Sequence, residues 1–169
     1  MNAYHLLIAV HAFVALVALP LGVYQLLRRR RGDRQHVRVG RAWVLAMGFV
    51  AVSSFAIRDL RPGQLSLLHV LSVVTLLTVT LGVVQARRGN IEAHRGMMRG
   101  SWLGLVGAFT GAVAVPDRMI PTFVVTQPMQ ALAALGAVIG CAVVVVGLCR
   151  LGPLWAYGMR GWRAVSASR

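Results

Sequence analysis

Acidic residues are scarce in this chain. Only four occur among 169 residues: Asp33, Asp59, Glu92 and Asp117. Lysine is missing altogether, so the 18 basic residues are all arginine and the net charge is +14. Charged residues amount to 13%, where a water-soluble domain carries roughly 25%. The shortfall excludes an ordinary soluble surface and points to a bilayer as the surrounding solvent. The arginines sit in short clusters between long apolar runs, which argues against a nucleic-acid-binding stripe on a folded face. The only two cysteines, Cys141 and Cys149, lie in one apolar run. Eight residues of helix separate them by about 12 Å, too far for a disulfide. They have no CxxC or Cys-His neighbour, so they read as small packing residues. HExxH and paired intramembrane carboxylates are also missing, which disfavours a metal-dependent hydrolase.

What the chain does contain is long apolar runs, and 57% of its residues are hydrophobic. The expected fold is an all-α integral membrane helical bundle of about five transmembrane helices. Spans are expected at about 4–27, 40–57, 65–86, 101–119 and 129–149, forming one transmembrane domain over 1–150. Residues 151–169, with Trp155, Tyr157 and Trp162 among arginines, read as an interfacial tail. The start Met-Asn-Ala-Tyr-His has no positive region ahead of the first run, unlike a signal peptide. Fifteen arginines fall in the first loop, the third loop and the tail, against Arg58, Arg61 and Arg118 on the other side. The positive-inside rule then expects a multi-pass protein of the inner (plasma) membrane, N-terminus outside and C-terminus cytoplasmic.

The first four spans look like a duplicated helical hairpin. His11, Gly22-Val23-Tyr24-Gln25, Arg28-Arg29, His36, Arg41 and Trp43 recur as His69, Gly82-Val83-Val84-Gln85, Arg87-Arg88, His94, Arg99 and Trp102, offset by 58 to 60 positions. Repeats of this kind reveal membrane architecture, and two helices per copy imply an axis along the membrane normal.

Ionisable groups within spans are costly and face the bundle interior. His11 and His69 are expected at similar depth toward the outer side. His36 and His94 are expected ahead of helices two and four, at the cytoplasmic side. Each heads a stripe with small or polar members. From His11 it holds Tyr4, Ala18, Gly22 and Gln25, and from His69 it holds Ser66, Ser72 and Thr80. From His36 it holds Gly40, Trp43, Met47 and Ser54, and from His94 it holds Met98, Ser101, Leu105, Ala108 and Ala112. Two facing neutral imidazoles are what six-coordinate haem iron requires, so His11, His69, His36 and His94 are the candidate cofactor-binding residues, as iron ligands of haem b. Arginines of the first and third loops inside, or Arg58 and Arg61 outside, are available to propionates. His5 lies about 120° round the helix from His11 and reads as interfacial, or as its substitute.

This arrangement resembles the ascorbate-dependent di-haem cytochrome b family of membrane electron carriers, over roughly residues 4–115. The resemblance implies that four consecutive helices each give one histidine and that alternate helices share a haem. His11, His36, His69 and His94 would take those roles, although no ascorbate-site motif is present. The chain also resembles an uncharacterised family of small bacterial predicted membrane proteins, through His36, Gly40-Arg41 and Trp43, then His94-Arg95 and Met98. The function expected is therefore electron transfer by bis-His haem, as a membrane oxidoreductase component. No nucleotide-binding domain is seen, so a quinone or a redox partner protein would complete the circuit, and a homo-oligomer is open. The alternative is a cofactor-free membrane subunit or small-molecule carrier with structural histidines. All four acids lie in loops, which weighs against proton-coupled transport.

Overall fold

The computed structural model describes residues 2–57, 67–114 and 119–151, and these are almost wholly helical. Six helices follow in order: α1 (Ala3–Leu27), α2 (Arg34–Ser54), α3 (Leu67–Arg87), α4 (Ile91–Val113), α5 (Met119–Thr126) and α6 (Pro128–Leu151). Among the described residues there is no strand. Helix is the form a chain takes in hydrocarbon, because every backbone N–H and C=O can pair within the segment.

Packing runs α1 on α2, α2 on α3, α3 on α4 and α4 back on α1, which closes a ring of four helices. In that ring α1 and α3 stand on one diagonal, α2 and α4 on the other. Helix α6 leans on α1 and α2 from outside, and α5 links α4 to α6. The centre is filled by Val17, Ala18 and Leu21 of α1, Val39, Trp43 and Met47 of α2, Val79 of α3 and Leu105 of α4. Outward positions stay apolar. On α6, Leu132, Leu135, Ile139, Val143 and Leu148 are exposed, a surface suited to lipid chains rather than water.

Four helices, α1, α2, His69–Arg87 of α3, and Pro128–Arg150 of α6, are long and apolar enough to cross a membrane. Five were expected, and the difference lies in α4. Its span was expected over 101–119, but the helix runs from Ile91 to Val113. The first third of α4 therefore carries Glu92, His94, Arg95 and Arg99, which keeps the helix out of that set among the described residues. Residues 115–118, the Arg58 and Arg61 loop, and the tail beyond 151 lie outside the described residues.

The early starts of α2 and α4 have a local cause. Asp33 precedes α2 in extended conformation, and its Oδ1 accepts from the His36 N–H at 2.7 Å. Asn90 precedes α4 and its Oδ1 accepts from the Ala93 N–H at 3.1 Å. Both are N-caps that satisfy an orphan donor of the first turn. Gly32 and Gly89, one residue earlier in each case, have φ of +84° and +80°, a conformation glycine takes without steric penalty. At Gly89 the Asn90 N–H reaches back to the Gln85 carbonyl at 3.0 Å, closing α3 as α4 begins.

Buried and half-buried hydroxyls tie the ring together. Ser54 and Ser72 join α2 to α3 at 2.6 Å, and Thr78 and Ser101 join α3 to α4 at 2.7 Å. Each of Ser54, Thr78 and Ser101 also donates or shares toward a carbonyl one turn back on its own helix, so no hydroxyl is stranded in the apolar interior.

Candidate functional site

Pro20 lies inside α1, so Leu16 loses the donor that would complete its helical bond. Two indoles gather on the carbonyls that follow. Trp43 Nε1 donates to Ala18 O at 2.9 Å, and Trp102 Nε1 donates to Leu19 O at 3.2 Å. Both rings fit because residue 22 is glycine. A Cβ there would run into Trp102 Cδ1, and would lie 2.7 Å from Trp102 Nε1 and 3.0 Å from Trp43 Nε1. The repeat-related tryptophans thus meet over one helix, in the middle of the ring.

Above this floor, toward the end that carries Arg28–Arg31, the four helices part. They leave a cavity of about 860 Å³, within the range of small-molecule and cofactor sites. Helix α1 contributes Gly22 and Gln25, α2 contributes His36, Gly40, Arg41 and Trp43, and α3 contributes Val83 and Arg87. Helix α4 contributes His94, Arg95, Met98, Arg99 and Trp102, and the α1–α2 loop contributes Arg31.

His36 and His94 come together in this cavity. Their ring centroids are 6.4 Å apart and their planes meet at 84°. They belong to α2 and α4, on the same diagonal. Both lie inside the first turn or so of their helices rather than ahead of them, because the caps stand at Asp33 and Asn90. His94 Nδ1 lies 2.9 Å from Gly82 O. A carbonyl only accepts, so Nδ1 carries the proton and Nε2 keeps a free lone pair. On His36 the backbone carbonyl accepts from Gln25 Nε2 at 2.8 Å, while Nδ1 is buried with no hydrogen-bond partner. The Asp33 carboxyl is held below the usual carboxylate range, first by the His36 N–H it accepts and then by the Arg28 guanidinium it pairs with.

His11 and His69 have different surroundings. His11 Nδ1 bonds Ser53 Oγ at 2.7 Å, and Ser53 sits near the end of α2. His69 is 5% exposed and lies against Phe55, with centroids 5.8 Å apart. His5 is exposed, beside Tyr4. Of the four candidate ligands, then, the structure brings His36 and His94 to each other, and gives His11 and His69 neighbours from the end of α2.

The stripes drawn from the histidines mostly face inward. Ala18, Gly22, Trp43, Met47, Ser72, Ser101 and Leu105 are all buried. Thr80 and Tyr4 are exposed, because the inward face of α3 runs His69, Ser72, Thr75, Val79 and Gly82. Both cysteines are free. Among the described residues no three or more His, Cys, Asp or Glu side chains converge on a metal-sized site.

A family model described as predicted membrane protein (DUF2306) matches residues 8–149, from within α1 to near the end of α6. The chain belongs to the DUF2306 family. No curated protein and no solved structure matches it. Membership of DUF2306 agrees with the multi-pass architecture and assigns no activity, so chemistry must be argued from the cavity.

Proposed function

We propose that this DUF2306 member is an electron-transfer protein of the inner membrane that holds one b-type haem between His36 and His94. The observation that carries the reading is the meeting of these two imidazoles at 6.4 Å. Metal–imidazole bonds of about 2 Å on either side of one iron put the ring centroids about 6 Å apart. The cavity around them is large enough for a flat macrocycle. The Gly82 carbonyl accepts from His94 Nδ1 and so fixes that ring's tautomer and orientation, as a ligating histidine needs.

Haem, when bound, supplies the one-electron chemistry. The residues of the chain do the rest. His36 and His94 would hold the group, Gly82 O orients His94, and Trp43 and Trp102 close the cavity toward the bundle centre. Orientation follows the arginine count, with the cavity opening on the cytoplasmic side. A quinone or a redox protein would exchange the electron. His11 and His69 serve packing and hydrogen bonding at the opposite end.

Purified protein, expressed with haem supplied, is expected to give the narrow α band and Soret shift of a low-spin bis-His haem on reduction. His36→Ala or His94→Ala removes them, while His11→Ala and His69→Ala leave them in place. No pigment in the wild type, or a spectrum indifferent to His36 and His94, refutes the proposal.

A further inference from the structure

Five arginines, Arg31, Arg41, Arg87, Arg95 and Arg99, all exposed, stand along the cavity, and no Asp or Glu is among its described lining residues. The ion pair of Arg28 with Asp33 uses an acid outside the lining. Like charges gathered beside a low-dielectric wall repel one another and favour an anionic occupant.

The pattern is more specific than charge alone. Arg41 stands five residues after His36 on α2, and Arg99 stands five residues after His94 on α4. The two helices form one diagonal of the ring, so each repeat contributes one arginine to the cavity lining at the matching position. Trp43 and Trp102 follow on the same helices and offer flat apolar surface beneath. An occupant matched to these features has a flat apolar body and two separate acidic groups.

We infer that the cavity selects a dicarboxylate tetrapyrrole through its acidic side chains, Arg41 and Arg99 each pairing with one carboxylate. Arginine suits the task because its planar fork binds a carboxylate through two parallel hydrogen bonds. This rests on the reading that a porphyrin occupies the cavity, but it does not need the iron.

The test is a titration of the full-length protein, freed of haem and held in lipid nanodiscs. The probes are metal-free protoporphyrin IX, its dimethyl ester, and iron protoporphyrin IX, followed by absorbance and tryptophan quenching. The free diacid is expected to bind at least tenfold more tightly than the ester. The double variant Arg41→Gln/Arg99→Gln is expected to lose at least tenfold in affinity for the diacid and nothing for the ester. Equal affinity for diacid and ester in the wild type overturns the inference, whatever the variant does, and so does failure to bind any of the three probes. If the diacid preference holds while His36→Ala and His94→Ala leave the iron spectrum unchanged, the ligation reading fails and this inference stands.

Discussion

Replacing Gly22 by alanine adds one methyl group where two rigid rings already touch the backbone of α1. The new Cβ would press on Trp102 Cδ1, and would lie 2.7 Å from Trp102 Nε1 and 3.0 Å from Trp43 Nε1. An indole cannot fold away as a methionine tip can, so both rings or α1 itself must shift. Overpacking of a filled core costs about 1–3 kcal/mol. The shift also weakens one or both indole hydrogen bonds to Ala18 O and Leu19 O, at about 1 kcal/mol each. Alanine returns about 1 kcal/mol through its higher helix propensity. The net loss expected is about 1–4 kcal/mol, by addition of these terms. Two controls separate sterics from glycine chemistry. At Gly82 the added Cβ meets the terminal methyl of Met98, which can swing aside, and Met97 Cβ at 3.2 Å, so Gly82→Ala should stay near the wild type. At Gly136 of α6 nothing lies within 4 Å, and Gly136→Ala should gain up to about 1 kcal/mol. Unfolding in mixed micelles with increasing SDS, followed by far-ultraviolet circular dichroism, gives the ranking. A Gly22→Ala protein as stable as Gly136→Ala would refute the account of the tryptophan floor.

Ser101 is 3% exposed and shares its hydroxyl with Thr78. Ser101→Ala is expected to lose about 0.6 kcal/mol, and no more than about 1.7, in the same unfolding assay. Asp33→Ala should destabilise the start of α2 and Asp33→Asn should not, since asparagine caps as well. Because the Asp33 carboxyl is held below its usual range when folded, its contribution is complete above the ordinary carboxylate range and fades on acidification through it. Unfolding midpoints measured against pH should fall on the acid side for the wild type and flatten there for Asp33→Asn. For orientation, single cysteines placed beside Arg29 should be protected from an impermeant maleimide in whole cells and labelled in inverted vesicles.

Much of the fold was legible because hydrocarbon imposes a simple rule. Long apolar runs gave α1, α3 and α6 nearly to the residue, and the inward stripes follow from helical periodicity. Helix α4 begins where its cap lies, ten residues ahead of the apolar run at Ser101 that marks its span. Gly89-Asn90 is the signal, and Gly32-Asp33 marks α2 in the same way, 57 residues earlier. The cavity's floor was less accessible. Trp43 and Gly22 were both visible as stripe members, but that Trp102 crosses to the same glycine depends on the contact between α4 and α1, which no local pattern encodes. At the other end, the pairing of His11 with Ser53 depends on where α2 ends, a boundary that sequence periodicity leaves loose by one or two residues.

The duplication itself is imperfect, and its mismatch bears on the histidine pair. His36 precedes Trp43 by seven residues, whereas His94 precedes Trp102 by eight. One residue turns a helix by about 100° and advances it about 1.5 Å. With both tryptophans fixed on α1, the extra residue swings His94 round α4, where its Nδ1 meets the Gly82 carbonyl of α3. His36, without that extra residue, keeps Nδ1 unpaired, and its carbonyl goes to Gln25. The two imidazoles therefore have inequivalent surroundings. Deleting Gly96, where a side chain would meet nothing within 4 Å, removes the extra residue without taking away a packed side chain. Trp102 and Ser101 hold the body of α4 in place, so His94 is the part that must turn, losing both Gly82 and its contact with His36. The expected result is loss of the low-spin spectrum with helix content retained by circular dichroism. A deletion variant that keeps the wild-type spectrum would show that the register of α4 does not set the pair.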